Sequence, residues 1–126
     1  MENKKEKDLT EWSKEIHQGN VDRGFYDNPK EFGTSLMLVT SELAEAIEAD
    51  RQDLKADLVY FDMLLERNPF PGSFKETIKD TVEDELADAV IRLLDLCGSM
   101  GIDIQRHIEL KLEYNATRSI RHGKKY

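Results

Sequence analysis

The sequence predicts an all-α fold, a bundle of four or five helices. Three observations carry that expectation. Apolar residues recur at helical spacing along most of the chain. No segment keeps the two-residue alternation of a half-buried strand. Glycine and proline gather at Gly19, Gly24 and Pro29, at Pro69, Pro71 and Gly72, and at Gly98 and Gly101, which leaves only short connections between the periodic segments. The 126 residues amount to a single domain, 1–126. A chain of that size buries a modest core, so oligomerisation would add useful burial.

The first helix is expected over 8–18, with Leu9, Trp12 and Ile16 on one stripe and Trp12 in the core. Residues 21–30 read as a loop around Gly24 and Pro29. A long helix follows over 30–51, its apolar stripe made of Leu36, Val39, Leu43, Ala46 and Ile47. A shorter helix over 53–68 carries Leu58, Phe61, Leu64 and Leu65, and the run Asn68-Pro69-Phe70-Pro71-Gly72 breaks the chain. The next helix is expected over 74–99, with Val82, Leu86, Ala89, Val90, Leu93, Leu94 and Cys97 on its apolar side. Asp103 is a suitable N-cap for a last helix reaching about residue 119.

The charge balance excludes several classes of function. Lys+Arg is 18 and Asp+Glu is 26, a formal net charge of −8. An acidic chain is poorly suited to a nucleic-acid polymer or an anionic membrane, which select basic surfaces. Divalent cations remain natural ligands. A lone cysteine, Cys97, allows no disulfide within the chain and no cysteine zinc site. No apolar run approaches the ~20 residues that span a bilayer. The charged start lacks the apolar core of a signal peptide. The expected setting is the reducing cytoplasm.

Two of the helices carry carboxylates three residues apart, Glu42 with Glu45 and Glu85 with Asp88. Residues so spaced project from neighbouring positions on one helical face. Each pair borders an apolar stripe rather than the middle of the wet face. If the two helices pack together, four carboxylates converge and repel unless protons or a cation intervene. A hard cation such as Mg2+ takes oxygen ligands and bridges to phosphates. The competing reading is an ordinary solvated acidic surface. Redox di-iron chemistry is disfavoured, because His17, His107 and His122 supply no Glu-x-x-His motif.

The last helix offers Lys111, Asn115 and Arg118 on one face, with Tyr114 nearby and His122 and Lys124 beyond. These types suit anionic oxygens and base edges; as plain structure they would complement a helix C-terminus. Phe25 and Tyr26 follow Gly24 and could stack on a nucleobase or plug the core.

Taken in order, these motifs resemble the MazG-like all-α nucleoside triphosphate pyrophosphohydrolases, from about Ile16 to the C-terminus. The resemblance rests on Ser41-Glu42-Leu43-Ala44-Glu45-Ala46-Ile47-Glu48, on Asp84-Glu85-Leu86-Ala87-Asp88-Ala89-Val90, on Gly101-Ile102-Asp103-Ile104, and on Lys111-Leu112-Glu113-Tyr114-Asn115-Ala116-Thr117-Arg118 with His122-Gly123-Lys124. Two departures stand out. Ser41 occupies a position where many members carry a further glutamate, and 53–74 reads as an insertion.

The resemblance implies a four- to five-helix bundle of the all-α NTP pyrophosphatase type, assembled as a homodimer or homotetramer. It implies Mg2+-dependent hydrolysis of a nucleoside triphosphate, a dNTP or modified NTP, to monophosphate and pyrophosphate, with Mn2+ as a substitute metal. Glu42, Glu45, Glu85 and Asp88 would hold the metal that activates water, with Glu45 the expected general base. Lys111, Asn115, Arg118, His122 and Lys124 would bind the nucleotide, and Phe25 and Tyr26 its base. The alternative is a non-catalytic module of the same fold that senses a nucleotide or serves assembly.

Overall fold

A computed structural model of the chain describes residues 6–118. Among the described residues there are six helices and no strand: α1 Leu9–Asp22, α2 Phe32–Arg51, α3 Leu58–Leu65, α4 Phe70–Thr77, α5 Val82–Ser99 and α6 Ile104–Ala116. The chain is therefore all-α. No described helix is long and apolar enough to cross a membrane.

Two compact units form. One combines α1, α6 and the end of α5; the other is Tyr26–Leu93 and holds α2, α3, α4 and most of α5.

In the first unit α1 begins at Asp8, whose carboxylate accepts the Glu11 N–H at 2.8 Å. The helix passes through Gly19 and ends at Asp22, with Arg23 as its C-cap and Gly24 just beyond at φ 86. There the Phe25 N–H reaches back to the Asn20 carbonyl at 3.0 Å. Ser13 is fully buried and donates its hydroxyl to the Leu94 carbonyl. His17 Nδ1 lies 3.0 Å from Asp95 Oδ1. Gly98 allows this close approach: a Cβ there would sit 2.6 Å from the Ser13 carbonyl oxygen. Gly98 is thus interior to α5, and Gly101, at φ 66, makes the actual stop. Asp103 caps α6 through the Arg106 N–H and accepts the Thr10 hydroxyl at 2.7 Å. Those donors, Thr10 first, hold its carboxyl below the usual range.

Trp12 departs from expectation. It is 46% exposed, with the Lys7 ammonium 4.9 Å from its ring centre.

In the second unit the prolines start a helix rather than only breaking one. Pro69 is the N-cap of α4 and Pro71 lies in its first turn, where no backbone donor is required. The expected single helix over 74–99 is instead α4 and α5, separated at 78–81. Asp80 there adopts a left-handed φ of 65, which ends helical continuation. Phe70 meets Phe61 edge-on at 5.8 Å and stacks on Phe74 at 6.0 Å, tying α3 to α4. The Asp57 N–H also donates to the Thr77 carbonyl at 3.0 Å.

Candidate metal centre

Helices α2 and α5 run antiparallel. The Val82 N–H donates to the Leu54 carbonyl at 3.0 Å, just past the end of α2. One turn further along α5, Glu85 comes up against Glu45 and Glu42. Two turns beyond that, Arg92 Nε donates to Glu42 Oε1 at 2.9 Å. The buried side chains Val39, Ala46 and Ala49 share a helical face with Glu42, and Ala89 shares one with Glu85. The alanines are short, so the carboxylates share an interior face rather than being displaced from it.

One carboxylate oxygen from each of Glu42, Glu45 and Glu85 lies within 4.8 Å of the other two. Glu42 is 8% exposed and Glu85 is 7% exposed. Arg92 compensates Glu42, and its N–H holds that carboxyl below the ordinary range. Among the described residues Glu85 has no such cation. Burial first, then Glu45 and the charges of Asp88 and Glu42, push it up to about 7. Its Oε2 is buried and has no hydrogen-bond partner among the described residues. A buried carboxylate oxygen without a donor is costly. The donor set suits a hard divalent cation, since each of the three groups offers a carboxylate oxygen.

Asp88 stands half-buried one turn along α5, and burial, then the charges of Asp84 and Glu42, raise its carboxyl. It borders the three-carboxylate cluster without being one of its members. A second group, Asp80, Asp84 and Glu85, also gathers within 4.8 Å. It already has partners, since Asp84 Oδ2 accepts the Asp80 N–H at 2.9 Å and Lys79 lies 3.5 Å from Asp80.

The remaining expected residues fall as follows. Lys111 and Asn115 lie on α6, and Arg118 lies just past its end. All three are exposed and belong to the first unit. Lys111 and Arg118 approach the Tyr114 ring at 5.3 and 5.4 Å. Phe25 is exposed and Tyr26 is half-buried in the turn that follows α1. His122 and Lys124 lie outside the described residues.

Sequence reasoning missed Arg92. The signal was present: it lies seven residues after Glu85, two turns along the same face.

Comparison of the chain with protein-family models, with curated proteins and with solved structures finds no match.

Proposed function

We propose that this chain is a MazG-like nucleoside triphosphate pyrophosphohydrolase, dependent on Mg2+ or Mn2+ and working in the cytoplasm. One observation carries the reading: three carboxylates converge between α2 and α5, and the buried Glu85 Oε2 has no donor among the described residues. A structural cluster would be expected to satisfy that oxygen. A site built for a cation leaves it open.

Glu42, Glu45 and Glu85 would hold the ion, with Asp88 available from the next turn. When bound, the metal supplies charge neutralisation for the polyphosphate and a lowered pKa for attacking water. The chain's own groups do the rest. Arg92 anchors one oxygen of Glu42 and so fixes the direction of the other. Arg92 is also half-exposed, which leaves guanidinium N–H groups for a phosphate oxygen. Glu45 is exposed and can accept a proton from water during in-line attack on the α-phosphorus. For Lys111, Asn115 and Arg118, which belong to the first unit, the resemblance alone implies a role with the leaving pyrophosphate and the sugar.

Self-association belongs to the same reading. Leu43 and Leu86 each follow a buried glutamate by one residue, and Ile47 and Val90 follow by five. In antiparallel helices equal offsets of this kind fall on the same side of the pair. Leu36, Leu43, Ile47, Leu86, Val90 and Leu93 thus make one apolar face across both helices, and all are substantially exposed. Six such side chains expose several hundred Å², the scale of an interaction surface. A second copy presenting the same two-helix face would complete a four-helix bundle about a twofold axis.

The test is a pyrophosphate-release assay over ordinary and modified NTPs and dNTPs, with and without Mg2+. Metal-dependent release, lost in Glu85→Gln and Asp88→Asn, is the expected result. The Arg92–Glu42 pair favours a second reading, because an ion pair of this kind can serve structure alone. Metal-linked nucleotide binding without turnover would select that sensing or assembly module.

A further inference from the structure

A cavity of about 700 Å³ lies in the Tyr26–Leu93 unit, beside the carboxylates. We propose that it receives the nucleobase of the substrate, an inference that rests on the nucleotide reading above. Its walls are Leu58 and Val59 from the start of α3, Phe74 and Ile78 from the end of α4, and Ala87 from α5. The volume is within the range of small-molecule sites, and apolar walls with one aromatic ring suit a flat heterocycle.

Position and charge select which end of a nucleotide enters. Asp84 lines the cavity and has a carboxylate oxygen within 4.8 Å of one on Glu85, so this residue stands between the cavity and the three-carboxylate cluster. Asp57 and Glu83 line it too, and three acids repel a phosphate. Polyphosphate drawn to a cation at Glu42, Glu45 and Glu85 would therefore leave the neutral, planar end for the cavity. Glu83 is not free to read that end, since its Oε2 accepts the Ala56 N–H at 2.8 Å. Lys55 at the lining is held by Asp50 at 2.9 Å and keeps N–H donors for a carbonyl edge of the base. The stretch 53–74, which reads as an insertion, supplies six of these residues: Lys55, Ala56, Asp57, Leu58, Val59 and Phe74. The cavity thus gives that stretch a task, selection among bases.

Filling the cavity tests this. Val59 is 74% exposed and Ala87 is also exposed, so Val59→Trp and Ala87→Leu can be accommodated without disturbing buried packing. Calorimetry with Mg2+ would compare α,β-methylene dNTP analogues with inorganic triphosphate. The expected result is nucleotide affinity reduced at least tenfold in both variants, with triphosphate affinity changed less than twofold. Unchanged nucleotide affinity, or equal loss for both ligands, overturns the assignment and leaves the metal reading standing. A change in sedimentation mass in both variants would also overturn it, because the cavity would then receive a second copy. If the unaltered protein binds neither ligand with Mg2+, the nucleotide reading itself fails.

Discussion

Helices α2 and α5 each bury one glutamate and expose the leucine that follows it. Glu42 and Glu85 are 8% and 7% exposed, whereas Leu43 and Leu86, their immediate neighbours, are 45% and 46% exposed. Ordinary transfer energetics would reverse that order. The two sides of one helix pair therefore ask for different things. The side with Glu45, Asp88 and Asp84 carries uncompensated charge, and a cation would stabilise it. The side with Leu43, Ile47, Leu86 and Val90 carries uncovered apolar surface, and a second such face would stabilise it. The buried stripe of Val39, Ala46, Ala49 and Ala89 between them has only small or medium side chains. It cannot supply much of the folding free energy by itself.

The contrast can be broken from either side. The largest effect is expected on the apolar side. Leu43→Glu combined with Val90→Glu should reduce the sedimentation mass to that of one chain and cost roughly 3 kcal/mol or more of stability at assay concentration. An unchanged mass and urea midpoint would show that nothing covers that face.

Next comes Glu85→Gln on the acidic side. Wild type should melt several degrees higher with millimolar Mg2+, and the variant should show no such rise. Without metal the order should invert at pH 8, with the variant more stable, because the amide removes a buried charge. Differential scanning fluorimetry with and without EDTA reads both.

The pH dependence of the metal-free protein follows from the same residue. The Glu85 carboxyl titrates at about 7 when folded, against an ordinary value of 4.5. Between those values the folded state holds the extra proton, so stability falls as pH rises from about 4.5 through 7. The loss should be about 1–2 kcal/mol, reduced from the full shift by solvent around the exposed Glu45. Mg2+ should flatten the profile. Urea titrations at pH 5 and pH 8 check the sign, and higher metal-free stability at pH 8 would contradict it.

The smallest effect is expected from Arg92→Met. It leaves Glu42 buried without its partner and should cost ~1 kcal/mol, since Arg92 is itself half-exposed. Added Mg2+ should recover part of that loss. An equal cost with and without metal would mean that Arg92 serves the fold alone.

Much of this was legible in the chain. Helical spacing and the Asp103 cap located α2, α6 and the start of α1 to within a few residues, because caps and periodicity are local; α1 runs four residues past its expected end. The carboxylate spacing singled out Glu42, Glu45, Glu85 and Asp88, of which the structure gathers the first three within 4.8 Å. Other features were not legible. Pro69 and Pro71 look the same whether they end one helix or begin another. Gly98 looks like a breaker, yet its missing Cβ is what lets Ser13 come close. Leu43 and Leu86 look like core, because periodicity marks an apolar face without saying what meets it.

The sequence by itself determined that this protein is helical, where most of its helices lie, and that two of them carry acidic pairs beside apolar stripes. Those properties depend on contacts within a few residues along the chain. Only the tertiary structure decided that α2 and α5 pair antiparallel, that Glu42 takes Arg92 while Glu85 Oε2 finds no donor among the described residues, and that Leu43 and Leu86 face outward. Burial and pairing depend on which faces of distant segments meet, and helical spacing is the same for a face turned inward as for one turned out.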